Sequence, residues 1–399
     1  MDVGVRALVL RCFAALPDPR MKRTRKHELI DMVVVAICAV ICGADGWAQV
    51  AEFGRAKRKW FETFLKLPNG LPSHDTFGRV FARLDPVAFE RCFLDWMNEL
   101  ARKTRGRLVS IDGKVLRGSF DSAAARLPLC LMSAWCGQNQ VVLGQWAVAA
   151  EGNEITAIPE LLELLDLDGA VVTIDAIGCQ TAIAEKIVAG NADYVLQVKG
   201  NQPRLHAELA AMFDECIACD AWAAPCVTHE EVDKGHGRVE TRRCWMTTRI
   251  ASLPDADKWP ALASVACVES VRLVEERDRG RGHRESPERG EQREPKWREQ
   301  RERRYYISSV GSLDAQRMLE RIRGHWGIEN SLHWRLDVSF DEDRRRIRQG
   351  HAAQNFSRLS RIALNLLKRE RTNPHGIKTK RLRCGWDHDY LLKVLTDGD

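Results

Sequence analysis

Two stretches of one design constrain the fold most. Leu108-Val-Ser-Ile-Asp112-Gly113 and Ala170-Val-Val-Thr-Ile-Asp175-Ala-Ile-Gly178 each run from apolar, β-branched residues into an acid and then a glycine. Such a run reads as a buried strand that delivers its acid at the C-terminal end. Between them lie strand candidates at 129–135 and 141–149, joined by the turn Cys136-Gly-Gln-Asn139, and a leucine-spaced helix at 155–165. A helix at 181–189 and a strand at 193–199 follow. The order strand, hairpin, helix, strand, helix, strand predicts an α/β domain, with the first two acids at neighbouring strand ends. A single acid there more often bonds a loop amide; two in matching contexts argue for a shared task.

A third acid stands far downstream, in Arg323-Gly-His-Trp-Gly-Ile-Glu329-Asn-Ser-Leu-His333-Trp-Arg-Leu-Asp337-Val-Ser-Phe-Asp-Glu-Asp343. On a helix, Ile328, Leu332 and Leu336 stack at four-residue steps, and Glu329 borders that stripe between His325 and His333. An amphipathic surface helix whose acid faces water is the plain alternative. The wording of the stretch closely resembles the acidic-helix signature of the H-repeat-associated insertion-sequence transposases, a branch of the DDE transposases. The likeness extends through Asp112-Gly-Lys-Val-Leu-Arg-Gly-Ser119, Thr173-Ile-Asp-Ala-Ile-Gly-Cys-Gln180, Asp193-Tyr-Val-Leu-Gln-Val-Lys-Gly-Asn-Gln202 and His236-Gly-Arg-Val-Glu-Thr-Arg242. Leu-Pro-Ser-His-Asp-Thr-Phe-Gly-Arg-Val-Phe, ending at Phe81, resembles the family's N-terminal signature.

The resemblance implies an RNase H-like mixed sheet flanked by helices, a β-rich insertion and an all-α N-terminal module. It implies Asp112, Asp175 and Glu329 as catalytic residues and metal ligands for two Mg²⁺ ions, with Mn²⁺ as a substitute. Hard cations take oxygen ligands and keep waters, so a few carboxylates suffice, and two ions about 3.5–4 Å apart can activate a water and stabilise a leaving oxygen. The implied partner is double-stranded DNA, both element ends and target, bound by a homodimer or higher complex. Candidate DNA contacts are Arg79, Arg83, Lys114, Arg117, Lys199, Arg323, His325, His333, Arg344 and Arg348. The wider superfamily often places Arg four residues before the Glu; here that residue is His325, which weakens a phosphate-gripping role. Asp337, Glu342 and Asp343 are rival third acids, or else partners for the arginines at 344–348.

These readings divide the chain into a helical region, 1–105, and a catalytic domain, 106–399, with the insertion at about 203–310. In the helical region the apolar run at 32–44 predicts a buried helix, too short for a bilayer. Ser73 or Asp75 caps a helix that turns Phe77, Val80, Phe81 and Leu84 inward and leaves Arg79 and Arg83 outside, the form a DNA-reading helix takes and equally that of an ordinary bundle. In the insertion, 232–248 and 263–273 read as strands, and 275–304, dominated by Glu and Arg, as a solvated loop or an arm that orders on DNA. Arginines and lysines from Arg358 to Arg383 suggest a basic tail surface.

A net charge of +6 over 399 residues is too mild to argue for nucleic acid by itself. Thirteen scattered cysteines, several inside apolar runs, fit reduced thiols in a cytoplasmic protein better than a disulfide framework. Cys216, Cys219, Cys226 and His229 have a spacing that could hold zinc, but the first pair sits in a helical segment unlike a zinc ribbon. Met1 precedes an acid rather than a basic leader, so the expected location is cytoplasmic, on the nucleoid when DNA is bound.

Overall fold

In a computed structural model, residues 11–100, 107–122, 127–219, 225–235, 238–253, 255–275 and 297–396 are described. In chain order the main elements begin with α1 (Leu29–Ile41), α2 (Trp47–Ala56), α3 (Arg58–Phe61), α4 (His74–Arg83) and α5 (Pro86–Leu100). Next come β1 (Leu108–Leu116), β2 (Leu129–Cys136), β3 (Val141–Ala147), α6 (Glu154–Glu163), β4 (Val171–Ile174), α7 (Thr181–Ala189), β5 (Asp193–Val198) and α8 (Pro203–Cys219). Strands β6 (Cys226–Gly235), β7 (Arg238–Thr247), β8 (Ser264–Glu275) and β9 (Trp297–Ser308) follow. The chain ends with α9 (Ala315–His325), α10 (Trp334–Phe340), α11 (Ala352–Arg369), α12 (Ile377–Trp386) and α13 (His388–Thr396). The α/β class and the helical N-terminal region are as expected. No helix among the described residues is long and apolar enough to cross a membrane.

The chain forms two compact units: residues 1–173, 189–192 and 324–399, and residues 174–188 and 193–323. In the first, the strand order is β3-β2-β1-β4. Strands β1 and β2 are antiparallel, with Ser110 opposite Trp135 and Asp112 opposite Ser133. The run at 32–44 is the buried helix expected: Met32 to Ile41 of α1 are almost wholly excluded from solvent. Ser73 caps α4 by accepting from Thr76 N (3.3 Å), and Phe77, Val80, Phe81 and Leu84 are buried while Arg79 and Arg83 are exposed. These helices share one core with Phe356, Leu359, Ile362, Leu366 and Leu367 of α11.

The expected basic tail surface is corrected in part: Arg371, Lys378 and Arg383 are exposed, but several of its other cations turn inward. Arg358 and Arg361 are buried, Arg358 against Glu90 of α5 and Arg361 against Glu342, while Lys380 and Arg381 are buried further on. Long cationic side chains pack as well as aliphatic ones once a carboxylate neutralises the head group, and charge patterning alone does not reveal that partner. After α11, Glu370 accepts from Thr372 N (2.7 Å), Asn373 N (3.2 Å) and the Tyr390 hydroxyl (2.7 Å). Burial opposes its ionisation, but these bonds and Lys380 win and hold the carboxyl down to about 2, against an ordinary 4.5. A lowered carboxyl stabilises the fold above its unfolded value and loses that contribution as pH falls through the folded one. We therefore expect up to about 3 kcal/mol of stability to disappear between about pH 4.5 and 2. Urea midpoints for Glu370→Gln should be lower at neutral pH and flatter across that acid range; parallel acid limbs for variant and wild type would contradict this.

The second unit carries the order β5-β9-β8-β7-β6, with each neighbouring pair antiparallel. The expected strand at 232–248 proves to be two, β6 and β7, with residues 236 and 237 between them outside the described residues. The expected loop at 275–304 is also corrected: residues 297–304 are strand, continuing β9, while 276–296 lie outside the described residues. A sequence this charged can hold a strand here because its partner β8 is Val-rich and supplies the ladder, with Val271 opposite Arg301 and Leu273 opposite Glu299. Ion pairs such as Arg303 with Glu269 (2.7 Å) match the charges across strands. Of the zinc spacing, Cys216 is buried on α8 with Arg249 Nη1 3.6 Å from its sulfur, Cys226 begins β6, and the Cys219 side chain lies outside the described residues.

Candidate active site

Strand alternation puts Ser110, Asp112 and Lys114 on one face of β1. A helical run from α9 through α10 carries His325, Glu329, His333 and Asp337 at four-residue steps. On a regular α-helix each such step drifts by about 40°. Residues Glu329–His333 instead form a π-helical turn, in which Trp334 N–H reaches the Glu329 carbonyl five residues back. One added residue in the turn takes the drift back, so two stripes stay aligned. Ile328, Leu332 and Leu336 are fully buried on one. The polar stripe meets β1 on the other. Lys368 of α11 donates to the Ser331 carbonyl inside this turn (2.8 Å) and lies 4.1 Å over the Trp135 ring.

The meeting has three levels, all within the first unit. At the first, Thr173 Oγ1 is 3.2 Å from Ser110 Oγ and 3.2 Å from His325 Nδ1. At the second, His333 Nδ1 stands 3.5 Å from Asp112 Oδ2 and 3.7 Å from Glu329 Oε2. One donor atom from each of these three residues falls within 4.8 Å of the others. At the third, Lys114 Nζ donates to Asp337 Oδ2 at 2.7 Å and lies 3.5 Å from Asp343. The His333 ring is the first cause, ahead of Asp112 and Lys114, that holds the Glu329 carboxyl below the usual range against partial burial. Burial pushes Asp337 the other way, and Lys114 only partly offsets it.

Thus Asp112 and Glu329, expected to converge, are brought together. Asp175 lies in the second unit, where its Oδ1 accepts from Ile177 N (3.2 Å) and begins the turn Ala176–Gly178. The rival acids have other partners: Asp337 and Asp343 hold Lys114, and Glu342 is buried against Arg361 rather than only serving the arginines after it. Asp343 also lies 3.6 Å from the exposed Arg117.

Among the candidate DNA contacts, Arg79, Arg83, Arg117, Lys199 and Arg344 are exposed. Lys114 is only 8% exposed and neutralised by two carboxylates, so it ties strand to helix rather than facing solvent. Arg323 pairs with Glu231 and with Asp233 (2.9 Å) in the second unit, and Arg348 Nε points to the Gly118 carbonyl at 3.4 Å. His325 faces Thr173, and His333, 5% exposed, faces the acids. Sequence reasoning missed the Lys114 clamp and the nearness of His333 to Asp112. Spacing held the signal for both: Lys114 is two residues from Asp112 on a strand, and His333 four from Glu329 on a helix. Gly118, in the same motif, is needed for close approach: a Cβ there would lie 2.2 Å from the Arg345 carbonyl oxygen.

The model of the "Transposase DDE domain" matches residues 103–366, and that of the "DDE_Tnp_1-associated" region matches residues 10–97. This chain belongs to the DDE transposases. Within them it is similar to "Putative transposase YncI" of Escherichia coli O157:H7, 38% identical over 97% of this chain and 94% of that protein. It is likewise similar to "H repeat-associated putative transposase YhhI" of Escherichia coli K12, 35% identical over 95% of each. A third relative, "Uncharacterized protein in dhlA 3'region" of Xanthobacter autotrophicus, is 44% identical over 65% of this chain and 87% of that protein. The H repeat-associated branch expected from the acidic helix is therefore the one the chain joins. For a DDE transposase the Asp112–Glu329–His333 group is a fitting donor set: two hard oxygen donors and a buried imidazole whose Nε2 has no hydrogen-bond partner among the described residues.

Proposed function

We propose that this transposase cleaves the ends of a mobile DNA element and joins the freed 3′-hydroxyl to target DNA, with Asp112, Asp175 and Glu329 as the metal-binding carboxylates. The observation that carries the reading is the approach of Asp112 and Glu329 to one buried imidazole, from a strand and a helix far apart in sequence. Bound Mg²⁺ or Mn²⁺ would supply an activated water and charge stabilisation at the leaving oxygen. The inclusion of Asp175 is supported by Thr173, two residues before it on β4, which touches both Ser110, two before Asp112, and His325, four before Glu329.

The protein's own groups position the reacting DNA. The Lys114–Asp337 bond fixes the acidic helix along β1, so that Glu329 keeps its place opposite Asp112. Exposed Arg79, Arg83, Arg117, Lys199 and Arg344 are proposed phosphate contacts; losing one should weaken binding across sequences and flatten its salt dependence. The helical region 1–105 is proposed as the element-end binding module, and 106–399, with the insertion at about 203–310, as the catalytic domain. A homodimer or larger assembly on paired ends, in the cytoplasm and on the nucleoid, completes the proposal.

The test is a supercoiled plasmid carrying the element ends, incubated with the full chain and Mg²⁺ or Mn²⁺. Cleavage at the ends together with strand-transfer products is expected. Binding without nicking would instead make the chain a DNA-binding regulator, and cutting without joining a metal-dependent nuclease.

A further inference from the structure

We propose that His333 is a nitrogen ligand of the cation held by Asp112 and Glu329, and that this biases the site toward Mn²⁺ over Mg²⁺. The inference rests on the metal-dependent reading above and adds to it a donor of a different chemical class. Three observations carry it. His333 is 5% exposed, so its ring is fixed by packing rather than free to sample solvent. Its Nδ1 points at carboxylate oxygens from two separate elements, at 3.5 Å and 3.7 Å, beyond good hydrogen-bond length for both. Its Nε2 is buried with no hydrogen-bond partner among the described residues, so the ring's one polar engagement is with the acids.

Those separations are a few tenths of an ångström wider than those of adjacent donors on one ion, so a small inward shift would let the three share it. With metal–ligand bonds of about 2.1 Å, adjacent donors of an octahedron stand roughly 3 Å apart and opposite ones roughly 4.2 Å apart. The observed values lie between, and all three donor atoms fall within 4.8 Å of one another. An imidazole that served only to neutralise the two carboxylates would gain from closing to hydrogen-bond distance with one of them. The chemistry of the cation follows from the donor set. Mg²⁺ binds oxygen and is reluctant to exchange water for nitrogen, whereas first-row transition ions accept imidazole readily. An all-carboxylate pair would discriminate weakly between Mg²⁺ and Mn²⁺; adding His333 favours Mn²⁺.

The experiment is pulsed electron paramagnetic resonance on the full-length protein loaded with one equivalent of Mn²⁺, without DNA. Wild-type protein is expected to show ¹⁴N modulation from a directly bound imidazole, changing as required when the histidines are ¹⁵N-labelled. His333→Gln should lose that modulation and bind Mn²⁺ on the order of 10–100-fold more weakly, with a smaller loss for Mg²⁺ measured by competition. His325→Gln should keep it. Mn²⁺ bound in wild type without nitrogen coupling, or coupling that survives His333→Gln, overturns the proposal. Because the first of these outcomes is read on unaltered protein, a poorly folding variant does not shield the idea. Failure of the underlying reading looks different: Mn²⁺ would then bind no better to wild type than to Asp112→Asn or Glu329→Gln.

Discussion

On the proposed function, Asp112→Asn and Glu329→Gln are each expected to lower cleavage at the element ends by on the order of 10³-fold or more, while the proteins stay folded and still bind the ends. The size follows from what an amide cannot do. It keeps the volume of the carboxyl but carries no charge for a divalent cation, and removing one preorganised electrostatic group from an active site commonly costs 10²–10³-fold by itself. Folding should survive because Asp112 is held by the β1–β2 ladder and Glu329 is largely exposed, so neither substitution opens a cavity or breaks a buried pair. Nicking of supercoiled plasmid, scored beside an end-binding assay and a melting curve, separates these effects. Asp175→Asn belongs in the same series, since its place in the set is implied by the family resemblance of the motif around it. Wild-type cutting by any one variant removes that residue from the catalytic group, and loss of end binding along with cutting would point to misfolding instead.

The features that sequence could carry were those written in local periodicity. The apolar run into Asp112, the four-residue stripe Ile328, Leu332 and Leu336, and the capping Ser73 each express a strand, a helix face or a helix start through neighbours in the chain. What stayed hidden depends on partners distant in sequence. The π turn at Glu329–His333 is one case: a four-residue stripe is compatible with a drifting α-helix until β1 demands alignment on the other side. Lys114 is another. Beside an acid in a transposase-like motif it reads as a phosphate contact, and only Asp337 and Asp343, more than two hundred residues on, neutralise it. The charged strand 297–304 fails local rules because its order comes from the apolar β8 beside it. His333 is legible by spacing as a neighbour of Glu329, but its nearness to Asp112 is a tertiary fact.

Removing the Arg361 guanidinium is expected to produce a large loss of stability. Arg361 and Glu342 are both essentially excluded from solvent, with Nη1 and Oε1 at 3.0 Å, and Ser357 donates to the same carboxylate oxygen at 2.7 Å. Burial opposes ionisation of Glu342, yet the charges of Arg361 and Arg345 override it and keep its carboxyl below the usual range. Arg361→Met therefore partly strands the Glu342 anion in the core, with Arg345 its remaining cation and Ser357 its remaining donor, and breaking a buried pair from one side costs about 3–5 kcal/mol. The double change Glu342→Gln with Arg361→Met removes the stranded charge and should recover much of that loss, since an uncharged, well-packed replacement of a buried pair is often close to neutral. Urea unfolding of the two single variants and the double variant closes the cycle; singles and double falling by simple addition would show that the pair is not coupled. The network also reaches the site. Arg361 Nη2 lies 3.3 Å from Ser133 Oγ, and Ser133 sits directly across the ladder from Asp112. In conditions where Arg361→Met is still folded, its cleavage rate should fall below that of a variant equally destabilised at Glu370, because only the former loosens the strand pair behind the acid.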